Sequence, residues 1–162
     1  MKRIIIIAAL LLSTLAASAQ DGRSIYRKYS GAEGVTAVYI SPAMFRLIGK
    51  IPDINVDGGS VNLAPLIQSL SGLYLIESEN RKVNAELRAD ADALVGSGKY
   101  EPLMEVRESS QTVQMFTVGT EEVITGFVMI SDEEDETVFI CLDGRMKRAD
   151  LETLLAEQIS AD

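Results

Sequence analysis

Four β-type segments follow one another without an intervening helix in the second half of this 162-residue chain. They are rich in Val, Ile, Thr, Phe and Met: Tyr100–Arg107, Gln111–Val118, Glu121–Ser131 and Glu136–Leu142. Their connectors have hairpin length, which is typical of antiparallel pairing. Val123–Ile130 and Val138–Leu142 are apolar at both alternating positions, so we expect the last two strands in the middle of the sheet.

The first half of the chain mixes helix-type and strand-type segments. Periodicity predicts helices over Gly22–Ser30, after Ser41-Pro42, over Leu63–Leu70 and over Asn80–Val95, and a last helix over Arg148–Ile159. It predicts strands over Val35–Ile40 and Gly72–Ile76. In the second helix, Met44, Leu47, Ile48 and Ile51 share one face. Asp143-Gly144 is interpreted as a turn. The sequence therefore predicts one α+β domain, with an antiparallel or mixed sheet of about six strands and helices largely on one face.

The first nineteen residues are interpreted as a secretory signal peptide. Met1-Lys2-Arg3 is a positive n-region, Ile4–Leu12 is apolar, and Ala17-Ser18-Ala19 ends in the small residues of a cleavage site. Cleavage after Ala19 leaves residues 20–162 as the mature domain, with 13 basic and 24 acidic residues and a net charge of −11. The apolar run is too short for a membrane span, and no Cys lies near Ala19. We expect an exported protein, periplasmic or secreted, that is not a lipoprotein and has no membrane span after cleavage.

Composition removes several functional classes. The chain has no His and one Cys, which excludes a Ser-His-Asp triad, a Cys-His dyad, imidazole-bound metals and an intrachain disulfide. A pI near 4.6 argues against nucleic-acid binding, which requires basic residues on the phosphates. No cofactor motif is recognised. Cys141 lies in an apolar strand and is expected to be a buried, inert thiol.

The stretch Asp53–Ser60 resembles the first half of a calcium loop, where alternate oxygen ligands precede a sharp glycine turn. The candidate ligand positions are Asp53, Asn55, Asp57 and Gly59. The twelfth position should be a bidentate Glu and is Ala64. A plain loop is therefore favoured over a weak calcium site.

Acidic residues cluster in the hairpin half of the chain. Glu108 to Gly144 contains nine acidic residues and no Lys or Arg. The candidate patch comprises Glu121, Glu122, Asp132, Glu133, Glu134, Asp135 and Glu136. The favoured interpretation is a solvated hairpin tip that keeps an apolar sheet soluble. The alternative is a negative surface that attracts divalent cations or docks a basic partner.

The residues contain no recognisable catalytic constellation. Carboxylates are numerous, but no spacing selects a pair, and no Ser-x-x-Lys motif occurs. We therefore favour a non-catalytic interaction or ligand-binding protein whose partner is an unknown envelope protein or a small ligand. The alternatives are a carboxylate-dependent hydrolase, which needs two converging acids with one raised pKa, and the weak calcium-binding domain.

Six stretches, taken in order, resemble the Domain of Unknown Function 4252 family of small exported proteins from Gram-negative bacteria. They are Ile25–Tyr29, Gly34–Ser41, Leu70–Ile76, Tyr100–Val106, Val128–Ile130 and Leu142–Gly144. The family has no established activity, so the resemblance transfers no functional residue. Members are often encoded near sigma and anti-sigma regulators, which implies a link to envelope sensing or stress response. Gly126-Phe127 departs from the polar residues expected there, and an exposed Phe127 would mark a contact surface.

Overall fold

The computed structural model describes residues 21–48, 54–56, 59–61 and 64–149. Its elements, in chain order, are α1 (Gly22–Tyr29), β1 (Val35–Ile40), α2 (Pro42–Ile48), β2 (Ile54–Val56), β3 (Gly59–Val61), α3 (Ala64–Ser69), β4 (Leu70–Ser78), α4 (Arg81–Val95), β5 (Tyr100–Arg107), β6 (Gln111–Gly119), β7 (Val123–Glu133) and β8 (Thr137–Lys147). Arg148 and Ala149 begin a helical turn. The rest of the expected last helix, the signal peptide and Ala19 lie outside the described residues.

Six of these strands form one antiparallel sheet in the order β1-β4-β8-β7-β6-β5. The predicted α+β class with about six strands is thereby confirmed. β8 and β7 occupy the two central positions of the sheet. This was predicted from their apolar residues at both sets of alternating positions. β8, the last strand among the described residues, therefore inserts between β4 and β7 instead of adding to an edge.

The core lies between one face of the sheet and the helices α1 and α4. Their amphipathic patterns direct Ile25, Leu87 and Leu94 inward, and these side chains are at most 2% exposed. The sheet contributes side chains that the register places in adjacent rows on that face: Tyr74, Ile76, Val128, Ile130, Phe139 and Cys141.

Capping side chains fix where both core helices begin. Asp21 accepts a hydrogen bond from the Ser24 amide at 2.7 Å and closes a capping box at the start of α1. Asn80 caps α4 by accepting from the Lys82 and Val83 amides. The two helices are joined by Asp90 of α4, which accepts from the phenol of Tyr29 at 2.7 Å.

Two local predictions, a loop and a turn, are wrong. Within the stretch predicted as a plain loop, Asp53–Ser60, the described residues 54–56 and 59–60 are strand instead, because β2 and β3 pair antiparallel; the sequence Asp57-Gly58 between them is a usual signal for a hairpin. Asp143-Gly144 is not a turn, because both residues lie within β8.

The glycine at 144 is explained by a close backbone approach. The register of β4 on β8 shifts between Leu70 and Gly72, and a Cβ on Gly144 would lie 2.7 Å from the Ser69 carbonyl oxygen. A strand glycine commonly marks such a site.

The buried face of α2 also differs from the prediction. Met44 and Leu47 are 49% and 64% exposed, whereas Phe45 is buried. This helix of seven residues contacts α3 and β4 through the side that carries Phe45. Of the other two residues expected on its inner face, the Ile48 side chain and Ile51 lie outside the described part.

Candidate functional site

The acidic hairpin tip between β7 and β8 lies against the start of α4. Arg81 of α4 pairs with Asp135 at 2.7 Å, and Arg88, two turns further on, pairs with Asp132. Asn84 lies between them and donates its amide to the Asp135 carbonyl at 3.1 Å. A stretch without a basic residue in sequence therefore meets two arginines in space.

The two ends of the predicted acidic patch are not brought together. Asp132–Glu136 lies at one end of β7, and Glu121 and Glu122 precede its other end. Eleven residues of extended chain separate the ends by about 35 Å. At the far end Arg148 donates its amide to the Glu122 carbonyl at 3.0 Å. The patch is thus two separate features, and each has its own basic neighbour.

A polar cleft of about 480 Å³ lies between the acidic tip and the β5–β6 hairpin. Its lining comprises Glu108–Thr112, Asp132–Glu134 and Arg88. Gln111 spans it by donating to the Glu133 carboxylate at 2.8 Å. The lining offers carboxylates, hydroxyls, amides and one guanidinium, which suit hydrogen bonding to a polar group more than nucleophilic attack.

Two described carboxylates have a raised pKa, but they do not form a pair. Partial burial and then the neighbouring Glu77 carboxylate raise the pKa of Glu136. Burial raises the pKa of Asp143. Seven residues of β8 separate them by about 23 Å, so they cannot act on the same bond. The carboxylate near Asp143 is Asp21, which is engaged as the α1 cap.

Cys141 is buried, as expected, and its surroundings disfavour a thiolate. Burial and the Asp143 carboxylate, 3.8 Å from its sulfur, raise the pKa of the thiol. Burial likewise raises the pKa of Tyr100 to about 12. These groups are held in their neutral forms, which fits a structural role.

Two of the four candidate calcium-ligand positions lie outside the described residues. Asp53 and Asp57 lie there, while Asn55 and Gly59 belong to the β2–β3 hairpin. Within the described ranges no three His, Cys, Asp or Glu side chains converge as metal ligands.

The second face of the main sheet carries an apolar surface that we did not predict from the sequence. The register aligns one apolar residue from each of the six strands in a row, none of them fully buried: Val38, Leu75, Ile140, Met129, Met115 and Met104. Val38 and Met104, at its two ends, are 41% and 46% exposed. We call this row, with its apolar neighbours Leu73, Leu142, Phe127, Val138, Val113 and Val106, the open face.

The signal for the open face was present in the sequence. Val123–Ile130 and Val138–Leu142 are apolar at both phases, which we interpreted as central position alone. One set of alternating side chains faces the helices. The other set, which includes Phe127 and Met129, belongs to the open face. Phe127, singled out as a possible contact residue, is half-buried there.

Fold and surface together define the class: an α+β sheet protein with two core helices on one face and an accessible apolar surface on the other. The family described as "Domain of unknown function (DUF4252)" matches residues 29–154, and the chain belongs to this family. The resemblance drawn from the six sequence stretches is confirmed. No curated protein and no solved structure matches the chain significantly.

Proposed function

We propose that this protein is an exported, non-catalytic interaction domain that binds another protein through its open face. The observation that carries the proposal is the row from Val38 to Met104, which is apolar on all six strands and nowhere fully buried. An antiparallel sheet with one solvated face normally alternates apolar and polar residues. An accessible apolar face of this extent is typical of an interaction surface.

The dimensions of the open face suit a protein partner. Six strands about 4.8 Å apart and three rows about 6.8 Å apart define a surface of roughly 30 by 20 Å, or about 600 Å². A stable complex of ordinary size buries about 800 Å² on each partner. The open face therefore supplies most of one such interface.

The charge of the open face specifies the chemistry of the partner. The row from Val38 to Met104 carries no charge, and the register places Glu77 and Glu101 in the neighbouring rows. The chain as a whole carries a net charge of −9. We infer a partner with an uncharged, apolar contact surface, because each charged group buried there without a counterion would cost several kcal/mol.

The leader sequence supports export. Its positive start, apolar stretch and Ala17-Ser18-Ala19 together form the three parts of a secretory signal. No helix among residues 21–48 and 64–149 is long and apolar enough to cross a bilayer. Core helix α1 starts at Gly22, so cleavage after Ala19 leaves the described fold intact.

Binding is tested with a photo-cross-linking residue at position 129, at the centre of the open face, and a matched residue at Lys82, on the exposed side of α4. We expect a covalent protein adduct from position 129 and not from position 82. The captured protein is then purified, and its affinity for the mature chain is measured by calorimetry. Met129→Glu should weaken it at least tenfold, whereas Lys82→Glu should not. Equal labelling at both positions, or an affinity that Met129→Glu leaves unchanged, would refute binding through this face.

Export is tested separately by fractionation and by mass spectrometry of the mature N-terminus. The expected first residue is Gln20, recovered outside the cytoplasm. A full-length chain that retains Met1 and remains in the cytoplasm would refute export without affecting the interaction proposal.

A further inference from the structure

The two edge strands of the sheet differ in their protection against further pairing. Edge strand β5 contains Pro102, two glutamates and an arginine, and its register shifts between Pro102 and Met104. These are the devices by which proteins block an exposed edge. Strand β1 reads Val-Thr-Ala-Val-Tyr-Ile, with neither charge nor proline, and pairs with β4 through six consecutive residues without a shift.

The hydrogen-bonding alternation shows which groups of β1 face outward. The Glu79 amide donates to the Gly34 carbonyl at 3.0 Å, and the β1–β4 register extends to this pair. In an antiparallel ladder every second residue bonds to a given neighbour. Thr36, Val38 and Ile40 therefore bond to β4, and the N–H and C=O groups of Val35, Ala37 and Tyr39 point to the outer edge. Among the described elements, β1 has a strand neighbour on the β4 side alone.

Exposed apolar side chains lie on this strand and on the helix that follows it. Val38 and Tyr39 are 41% and 45% exposed, and Met44 and Leu47 of the following helix are more exposed still. From Gly34 to Leu47 the single charged residue is Arg46. In a chain of strongly negative net charge, this segment can approach its own copy without repulsion between acidic groups.

We infer that a second copy of the chain pairs antiparallel with β1 about a two-fold axis at Ala37. This register places Ala37 opposite Ala37 of the second copy and Val35 opposite Tyr39 of the second copy. All outward groups of Val35, Ala37 and Tyr39 are then used, in three hydrogen-bonded pairs. The smallest side chain lies on the axis, so the strands can approach to normal pairing distance.

The accessible area indicates a dimer of moderate affinity. Val38, Tyr39, Met44 and Leu47 are 41–64% exposed, so these side chains can bury at most roughly 400 Å² a copy, or about 800 Å² in total, before backbone pairing is added. This lies at the low end of specific interfaces, and we expect dissociation constants in the micromolar range.

The inferred pairing at β1 is separate from binding at the open face, and it enlarges the open face. The two sheets join into one of twelve strands. The strand pairing keeps the two open faces on the same side, and one partner could contact both. Val38 contributes its side chain to both surfaces, but the outward backbone groups of Val35, Ala37 and Tyr39 serve the edge alone, so either proposal can fail alone.

The test is sedimentation equilibrium of the mature chain from 1 to 200 µM, with two matched edge variants. Val38→Lys and Val106→Lys replace valines of nearly equal exposure on β1 and β5. We expect a monomer–dimer equilibrium in the parent chain, a dimer weakened at least tenfold in Val38→Lys, and an unchanged dimer in Val106→Lys. Circular dichroism and urea titration establish that both variants are folded.

A cross-link tests the register. Cα atoms of a hydrogen-bonded antiparallel pair lie about 5.5 Å apart, within the range of a disulfide. Ala37→Cys should therefore form an intermolecular disulfide at least tenfold faster than Val106→Cys. A parent chain that stays monomeric at 200 µM overturns the inference, as does a dimer that Val106→Lys disrupts while Val38→Lys does not. Self-association that leaves Ala37→Cys unlinked overturns the proposed register.

Discussion

Gly22 is a position where one added methyl group should be damaging. It opens α1 directly above β8, and an alanine Cβ there would lie 2.5 Å from the Cys141 Cβ and closer still to its sulfur. Carbon atoms normally approach to about 3.5–4.0 Å. Because the Cys141 Cβ is fixed to the backbone of a central strand, α1 must move outward by roughly 1 Å.

The magnitude follows from the side chains that α1 buries. Ile25 and Tyr29 are 1% and 3% exposed, and full burial of such a side chain contributes about 1.5–3 kcal/mol. A radial gap of 0.5–1 Å forfeits a quarter to a half of such contacts. For the two side chains together, Gly22→Ala should cost about 1–3 kcal/mol. Helix propensity alone would favour alanine, so any loss is attributable to the clash.

Urea denaturation of the mature chain measures this cost. With a slope of about 2 kcal/mol/M, the midpoint of Gly22→Ala should fall by roughly 0.5–1.5 M. Gly31→Ala is the control, since nothing lies within 4 Å of its added Cβ, and its midpoint should stay within about 0.25 M of the parent. Equal midpoints for Gly22→Ala and the parent chain would refute the packing of α1 on β8.

Predictions at four further positions concern ionisable side chains. The folded-state pKa of Asp143 lies above its ordinary 3.8. The stability contributed by its protonated form is therefore complete below pH 3.8 and is lost as the pH rises through the folded pKa. Asp143→Asn should remove this loss and give a higher melting temperature than the parent at pH 7 but not at pH 3. Asp90→Ala should cost about 1–3 kcal/mol in urea titration by removing the acceptor of the Tyr29 phenol and the ion-pair partner of Lys28, and Asp90→Asn, which keeps an acceptor, should cost less. Arg81→Ala should change stability by less than about 0.5 kcal/mol, because this arginine and its partner carboxylate are 78% and 72% exposed. Arg88→Ala, from a less exposed pair, should cost more than Arg81→Ala, and the reverse order would contradict the assigned pairs.

Local sequence signals located the elements well. β1 and β5 have the predicted bounds, and α4 (Arg81–Val95) lies within the predicted helix Asn80–Val95. Each of these rests on information within a few residues: β-branched and aromatic residues for the strands, and apolar periodicity for the helix.

Features that depend on distant partners were less predictable. Gly144 belongs to a strand because the Ser69 backbone passes close to it, some 75 residues earlier in the chain. Phe45, and not Met44 or Leu47, is buried because of where α3 and β4 lie. The open face depends on the pairing order, which aligns apolar residues of six separate strands and which no single segment encodes.

The position of β8 constrains the order in which this chain can fold. Its pairing with β4 joins Ser78 to Thr137 and Leu73 to Leu142, so the contacts span about 60–70 residues. Until the ribosome has made Thr137–Lys147, the pair β1–β4 and the meander β5–β6–β7 remain two unconnected half-sheets, and Phe139 and Cys141 are missing from beneath α1 and α4. Such non-local pairing is slow to form. For a chain that we propose is exported, the delay is useful: nearly all of it can cross a membrane before a folded core exists to obstruct passage.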